Sequence, residues 1–177
     1  MKSLYVKVSQ AVLILASVFA TTPVLAAADV LDFLVLGQGS VVSDCSLVPV
    51  MLQPDCNVVL SGQASGTHIG HDDFSLTLRV GSTSGRAPNG AGGFCAAVTG
   101  FGSFTPPSTD TSISFNVAGS VCEESGSGSP AHFNGTYRIT GGTARFANAV
   151  GGGSLTSTYT RGAGGVVFLH LHGTINF

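Results

Sequence analysis

From residue 29 to the end, apolar residues alternate with small polar ones at a period of two, and no stretch repeats at the helical 3.6. A period of two sends successive side chains to opposite faces of a strand. Between Asp73 and Gly81, Phe74, Leu76, Leu78 and Val80 point one way, and Ser75, Thr77 and Arg79 the other. Thr111 to Val121 repeats this through Ile113, Phe115, Val117 and Val121, and Phe133 to Thr140 through Phe133, Tyr137 and Ile139. Leu155, Ser157 and Tyr159 alternate with Thr156, Thr158 and Thr160, and the last run alternates through Val167, Leu169, Leu171, Ile175 and Phe177. Val30 to Leu36, Asn57 to Gly66 and Phe94 to Phe104 are further strands, about eight in all. Loop-forming clusters separate them at Ser82 to Gly93, Pro106 to Asp110, Glu123 to Pro130 and Arg161 to Gly165.

One apolar face and one face rich in Thr and Ser fit antiparallel strands with a core on one side and water on the other. The pattern predicts an all-β fold, a single antiparallel β-barrel or sandwich. The barrel is preferred, because closure removes exposed edges from a weakly charged chain. Its core candidates are Phe33, Phe74, Leu76, Leu78, Phe115, Val117, Tyr137, Ile139, Leu169, Leu171 and Ile175.

The first 28 residues read differently. Lys2 and Lys7 precede or open an apolar stretch, Val8 to Ala20, which Thr21-Thr22-Pro23 ends, and Ala26-Ala27-Ala28 offers small residues for cleavage before Asp29. The apolar core is too short for a spanning helix of about 20 residues, so an N-terminal signal helix is expected over 1–28 and an exported domain over 29–177, with no stable membrane span. That domain has 149 of the 177 residues and holds all 25 glycines. Its five cations are all arginines; against nine acids they leave a formal charge of −4, which argues against nucleic acid as a partner. Low charge and abundant Gly exclude a coiled coil, and high apolar content excludes classical disorder.

The four cysteines, Cys45, Cys56, Cys95 and Cys122, all follow residue 28. Four Cys in an exported chain favour two disulfides, with three possible connectivities. Cys45–Cys56 with Cys95–Cys122 is preferred, since the first closes a short loop and the second joins neighbouring strands. The absence of any CxxC pair argues against a four-thiolate zinc site.

Two segments carry a resemblance. The first is Gly66-Thr67-His68-Ile69-Gly70. The second runs from Gly135-Thr136-Tyr137-Arg138-Ile139-Thr140-Gly141-Gly142-Thr143-Ala144-Arg145-Phe146 through Ala147-Asn148-Ala149 to Gly151-Gly152-Gly153-Ser154-Leu155, and Gly173-Thr174-Ile175 closes the set. Together they resemble a group of small exported bacterial proteins in which "GTATHLG" precedes one strand and "YTITGGTGRFAGATGSGTL" joins two late ones. The likeness covers most of residues 60–177. Ala144 and Asn148 stand where that group commonly has Gly. The late segment is also similar in character to the Gly-rich turn of allene oxide cyclase and dirigent barrels, which implies eight strands. The resemblance carries no catalytic residues. Read on its own, Gly141-Gly142 supplies positive φ for a sharp turn, and Ala144 to Ala147 forms one short turn that drops Phe146 into the barrel end.

Candidate chemistry is sparse. His68, His71, Asp72 and Asp73 cluster; His71 and Asp73 share a face on an extended chain, and such a set suits a transition metal. His170 and His172 also share a face, opposite Leu169 and Leu171, and make half a metal site. Arg138 and Arg145 suit a carboxylate ligand, and His68 and Tyr137 join them as ligand-binding candidates. Asp32 is expected outward, against Phe33 and Val35. Asn134-Gly135 reads as a turn. No GxSxG and no GxxxxGK occurs, and no cofactor is called for. The expected function is that of a secreted or periplasmic non-enzymatic scaffold or of a binder of a small apolar ligand, which would sit in the barrel interior. The alternatives are a cyclase- or dirigent-type enzyme acting on a small hydrophobic substrate and a small outer-membrane barrel, the latter suggested by the terminal Phe177.

Overall fold

A computed structural model of the chain describes residues 29–45, 55–81, 86–88, 93–107, 110–123, 130–160 and 165–177. The expected signal helix lies outside them. The strands are β1 (Leu31–Ser43), β2 (Cys56–Gly66), β3 (Gly70–Val80), β4 (Arg86–Pro88), β5 (Phe94–Thr105), β6 (Ile113–Glu123), β7 (Pro130–Gly142), β8 (Val150–Thr160) and β9 (Val166–Asn176). All pairings are antiparallel, in the order β3-β2-β1-β9-β8-β7-β6-β5, and β3 pairs with β5 to close an eight-stranded barrel. The three-residue β4 lies outside the closure and pairs with β5 alone. It falls inside the Ser82 to Gly93 cluster, expected to be loop throughout; Ala87 meets Cys95 in the ladder there. Asn134-Gly135 is not a turn but the middle of β7, where Gly135 lies opposite Gly119 of β6.

The inward residues alternate as the sequence pattern requires, and all eleven expected core residues are buried. An aromatic cluster occupies the core: Phe104 stacks on Phe115 at 5.0 Å between centroids, and Tyr137 meets Phe33 at 6.0 Å and Phe115 at 6.3 Å. Inward glycines face each other across neighbouring strands at Gly39–Gly62, Gly119–Gly135 and Gly153–Gly173, where the two backbones approach too closely for a side chain.

The two barrel ends differ. One carries the disulfides Cys45–Cys56, with S–S 2.11 Å, and Cys95–Cys122, with S–S 2.00 Å. This is the preferred pairing, and Cys95 and Cys122 are direct partners in the β5–β6 ladder. Two disulfides are compatible with an oxidising extracellular or periplasmic environment. The other end holds the β2–β3 turn and the β7–β8 connection, which contains one 3-10 turn, Ala144–Phe146.

Candidate functional site

Sequence-predicted site residues fall in three places: the interior, the second barrel end and the outer wall. Tyr137 is interior. Its ring packs among Phe33 and Phe115, its hydroxyl is buried without a hydrogen-bond partner, and burial pushes its pKa up to about 12. Asp72 also points inward, with 5% of its surface exposed and its Oδ1 unpartnered. Burial first, and then the Asp73 carboxylate, raise its pKa, while Arg145 and His71 pull it down. Among the described residues, Ser157 is a third buried polar residue whose side-chain oxygen lacks a partner. The rest of the interior is filled by large side chains, Tyr159, Phe33, Phe104, Phe115, Phe133, Leu60 and Leu155 among them.

His68 and Arg145 meet at the second end. Gly141 has the expected positive φ, 129°, but lies within β7, where the β6–β7 register shifts at a β-bulge, so the sharp turn expected at Gly141-Gly142 is a bulge in the strand instead. Phe146 lies 2% exposed beneath the 3-10 turn, as the sequence predicts. Arg145 lies over the Phe146 ring at 4.6 Å and donates to the His68 carbonyl. His68 Nε2 donates to the Asp32 carbonyl at 3.1 Å, and its ring meets Phe177 edge-on at 5.8 Å. These contacts tie four chain segments, the start of β1, the β2–β3 turn, the β7–β8 connection and the segment at Phe177, into a cap. Asp32 itself is exposed on the outer face, as expected. Arg138 is exposed on the outer face of β7, away from the Tyr137 side chain.

His170 and His172 are exposed on the outer face of β9. Among the described residues no third ligand joins them; the cluster with metal-type ligand spacing is Asp44, Cys45 and Cys56, whose two cysteines form a disulfide.

A cavity of about 670 Å³ opens on the outer wall, lined by residues of β1, β2, β3, β8 and β9. Its shape follows from two cross-strand rows. One row reads His71, Ser65, Leu36, His170, Thr156 from β3 to β8. The next reads Asp73, Gln63, Gln38, Phe168, Thr158. Directly opposed side chains on one sheet face stand about 5 Å apart, so each row is a continuous band. The apolar members, Leu36 and Phe168, are 57% and 59% exposed among otherwise polar residues of these rows. Ser65 Oγ lies 2.6 Å from His71 Nδ1. The groove brings together one histidine from each sequence cluster, His71 and His170. Ser65, Gln63, Gln38, Leu36 and Phe168 were not among the residues singled out from the sequence. Leu36 and Phe168 break the polar-outward alternation of their strands, which was the signal available for finding them.

No family model, no curated protein and no solved structure matches the chain.

Proposed function

We propose that the protein is an exported binder of a small apolar molecule and that the ligand lies in the outer-wall groove. The groove carries this reading. Its volume lies within the range of small-molecule sites, and its lining combines apolar side chains with a few polar groups that fix orientation. Leu36, Phe168 and Leu169 supply the apolar part; Gln38, Gln63, His71 and His170 supply the polar contacts. Large side chains already occupy the barrel interior, which favours the wall over the lumen and weighs against a cyclase-type site inside the barrel. The two disulfides fit export to an oxidising compartment, secreted or periplasmic.

Native mass spectrometry of the protein purified from its own host tests this, alongside a Phe168→Asp variant. A small molecule retained by the wild type and lost from the variant, with circular dichroism unchanged, is the expected result. Retention of the same molecule by both proteins removes the groove as the site.

A further inference from the structure

The groove holds more than a binding surface needs. We infer that Ser65 is a nucleophile and His71 its general base, and that the groove accepts small apolar carboxylic esters and transfers their acyl group to water. This rests on the groove being the ligand site.

The two residues face each other across the β2–β3 ladder, so the sheet fixes their separation and no loop has to close to form the pair. The contact of 2.6 Å is within reach for proton transfer. With the imidazole proton on Nε2, Nδ1 accepts the Ser65 hydroxyl. Both residues are exposed and line the groove, so the hydroxyl is open to a ligand. Leu36 stands next to Ser65 on the other side, and Phe168 lies one row on. An acyl chain laid along these two has its carbonyl over Ser65. Gln63 lies two residues from Ser65 on the same face, directly opposite Gln38. Side-chain amides of this kind serve as donors to a developing oxyanion.

The step balances without a cofactor. Ser65 Oγ attacks the ester carbonyl carbon while its proton passes to His71 Nδ1. The bond from carbon to the alkoxy oxygen then breaks, and the alcohol leaves with that proton. Water, deprotonated by His71, attacks the acyl-serine; the carboxylic acid departs and the Ser65 hydroxyl re-forms.

The experiment measures three quantities on the full chain and on Ser65→Ala, His71→Gln and Phe168→Asp variants. They are hydrolysis of p-nitrophenyl butyrate, covalent labelling by an alkyl fluorophosphonate read by intact mass and peptide mapping, and binding of an apolar fluorescent dye. The wild type is expected to hydrolyse the ester and to take one label on Ser65. Ser65→Ala is expected to lose the label and at least about 100-fold of the rate while still binding dye, and His71→Gln to lose a similar factor. Dye binding lost in Phe168→Asp, with no label and no hydrolysis in the wild type, overturns the nucleophile and leaves the binding site standing. Absence of dye binding, label and hydrolysis in the wild type overturns both. Label on a residue other than Ser65 also overturns the assignment.

Discussion

Gly39 of β1 lies directly opposite Gly62 of β2, and a Cβ built on Gly39 would stand 1.9 Å from the Ser61 carbonyl oxygen. That obstacle is backbone, so no rotamer change relieves it. The two backbones come this close because neither strand carries a side chain on its inner face here. Gly39→Ala is expected to cost more than about 4 kcal/mol, a large share of the roughly 5–15 kcal/mol that holds a domain folded. Gly37→Ala, whose Cβ would meet the Phe74 ring at 3.1 Å and the Ala64 side chain at 3.4 Å, is the matched control and is expected to cost much less. Urea midpoints of the two variants make the comparison; equal midpoints would remove the close approach as the reason for glycine.

The strands and the core were legible because a half-buried strand writes its inner face at every second residue. Asp72 shows how far that parity reaches: it is in step with Phe74, Leu76 and Leu78, so its inward position follows once β3 is extended back to Gly70. The glycines of the β7–β8 segment were legible too: Gly151 to Gly153 re-enter the sheet as part of β8, and a Cβ on the inward Gly151 or Gly153 would meet the β9 backbone. The groove was not legible. Its rows draw on strands distant in sequence, and the register that aligns Ser65 with both His71 and Leu36 is set by the fold.

Asp72 gives a pH signature. Its folded-state pKa is raised, chiefly by burial, above the ordinary 3.8. The ionised carboxylate therefore disfavours the folded state, and the penalty grows as pH rises from about 3.8 through the raised value. Asp72→Asn is expected to be more stable than the wild type at pH 7 and to lose that advantage below about pH 4. Denaturant titrations at pH 7 and pH 3.5 test this, and a variant less stable at pH 7 would contradict it.

Tyr137 works at the alkaline end. An unfolded tyrosine ionises near pH 10, whereas burial holds Tyr137 up to about 12. Stability is therefore expected to fall as pH rises from 10 towards 12, since only the unfolded chain releases the proton freely. Tyr137→Phe keeps the ring contacts with Phe33 and Phe115 and removes a hydroxyl that has no partner. The variant is expected to gain about 1 kcal/mol at neutral pH and to show a shallower alkaline decline. Loss of stability at pH 7 would reveal a partner for the hydroxyl, and loss of a retained ligand would move the binding site to the interior.

The disulfides should contribute unequally. Cys45–Cys56 spans 11 residues and Cys95–Cys122 spans 27. By loop-closure entropy, removing them costs about 2.8 and about 3.6 kcal/mol respectively. Paired Cys→Ser variants measured in denaturant should rank in that order; the reverse ranking would show that the Cys45–Cys56 bridge does more than close its own short loop.

Ala144 adopts φ 49°, in the left-handed region, at the start of the 3-10 turn. A Cβ in that region costs about 1–2 kcal/mol. The Ala144 side chain is exposed, so its methyl group buries little in return. Glycine removes the steric cost but adds about 0.4–1 kcal/mol of unfolded-state entropy. Ala144→Gly is therefore expected to be stabilising by about 0.5–1 kcal/mol, or roughly 1–3 °C in Tm. The opposite change tests the same physics nearby: Gly141→Ala places a side chain at φ 129° and is expected to destabilise, although the nearest atom, the Ala147 carbonyl oxygen, is a comfortable 3.5 Å from the new Cβ. Thermal melts of the two variants should move in opposite directions. A fall in Tm for Ala144→Gly would mean that the turn's geometry depends on the alanine side chain.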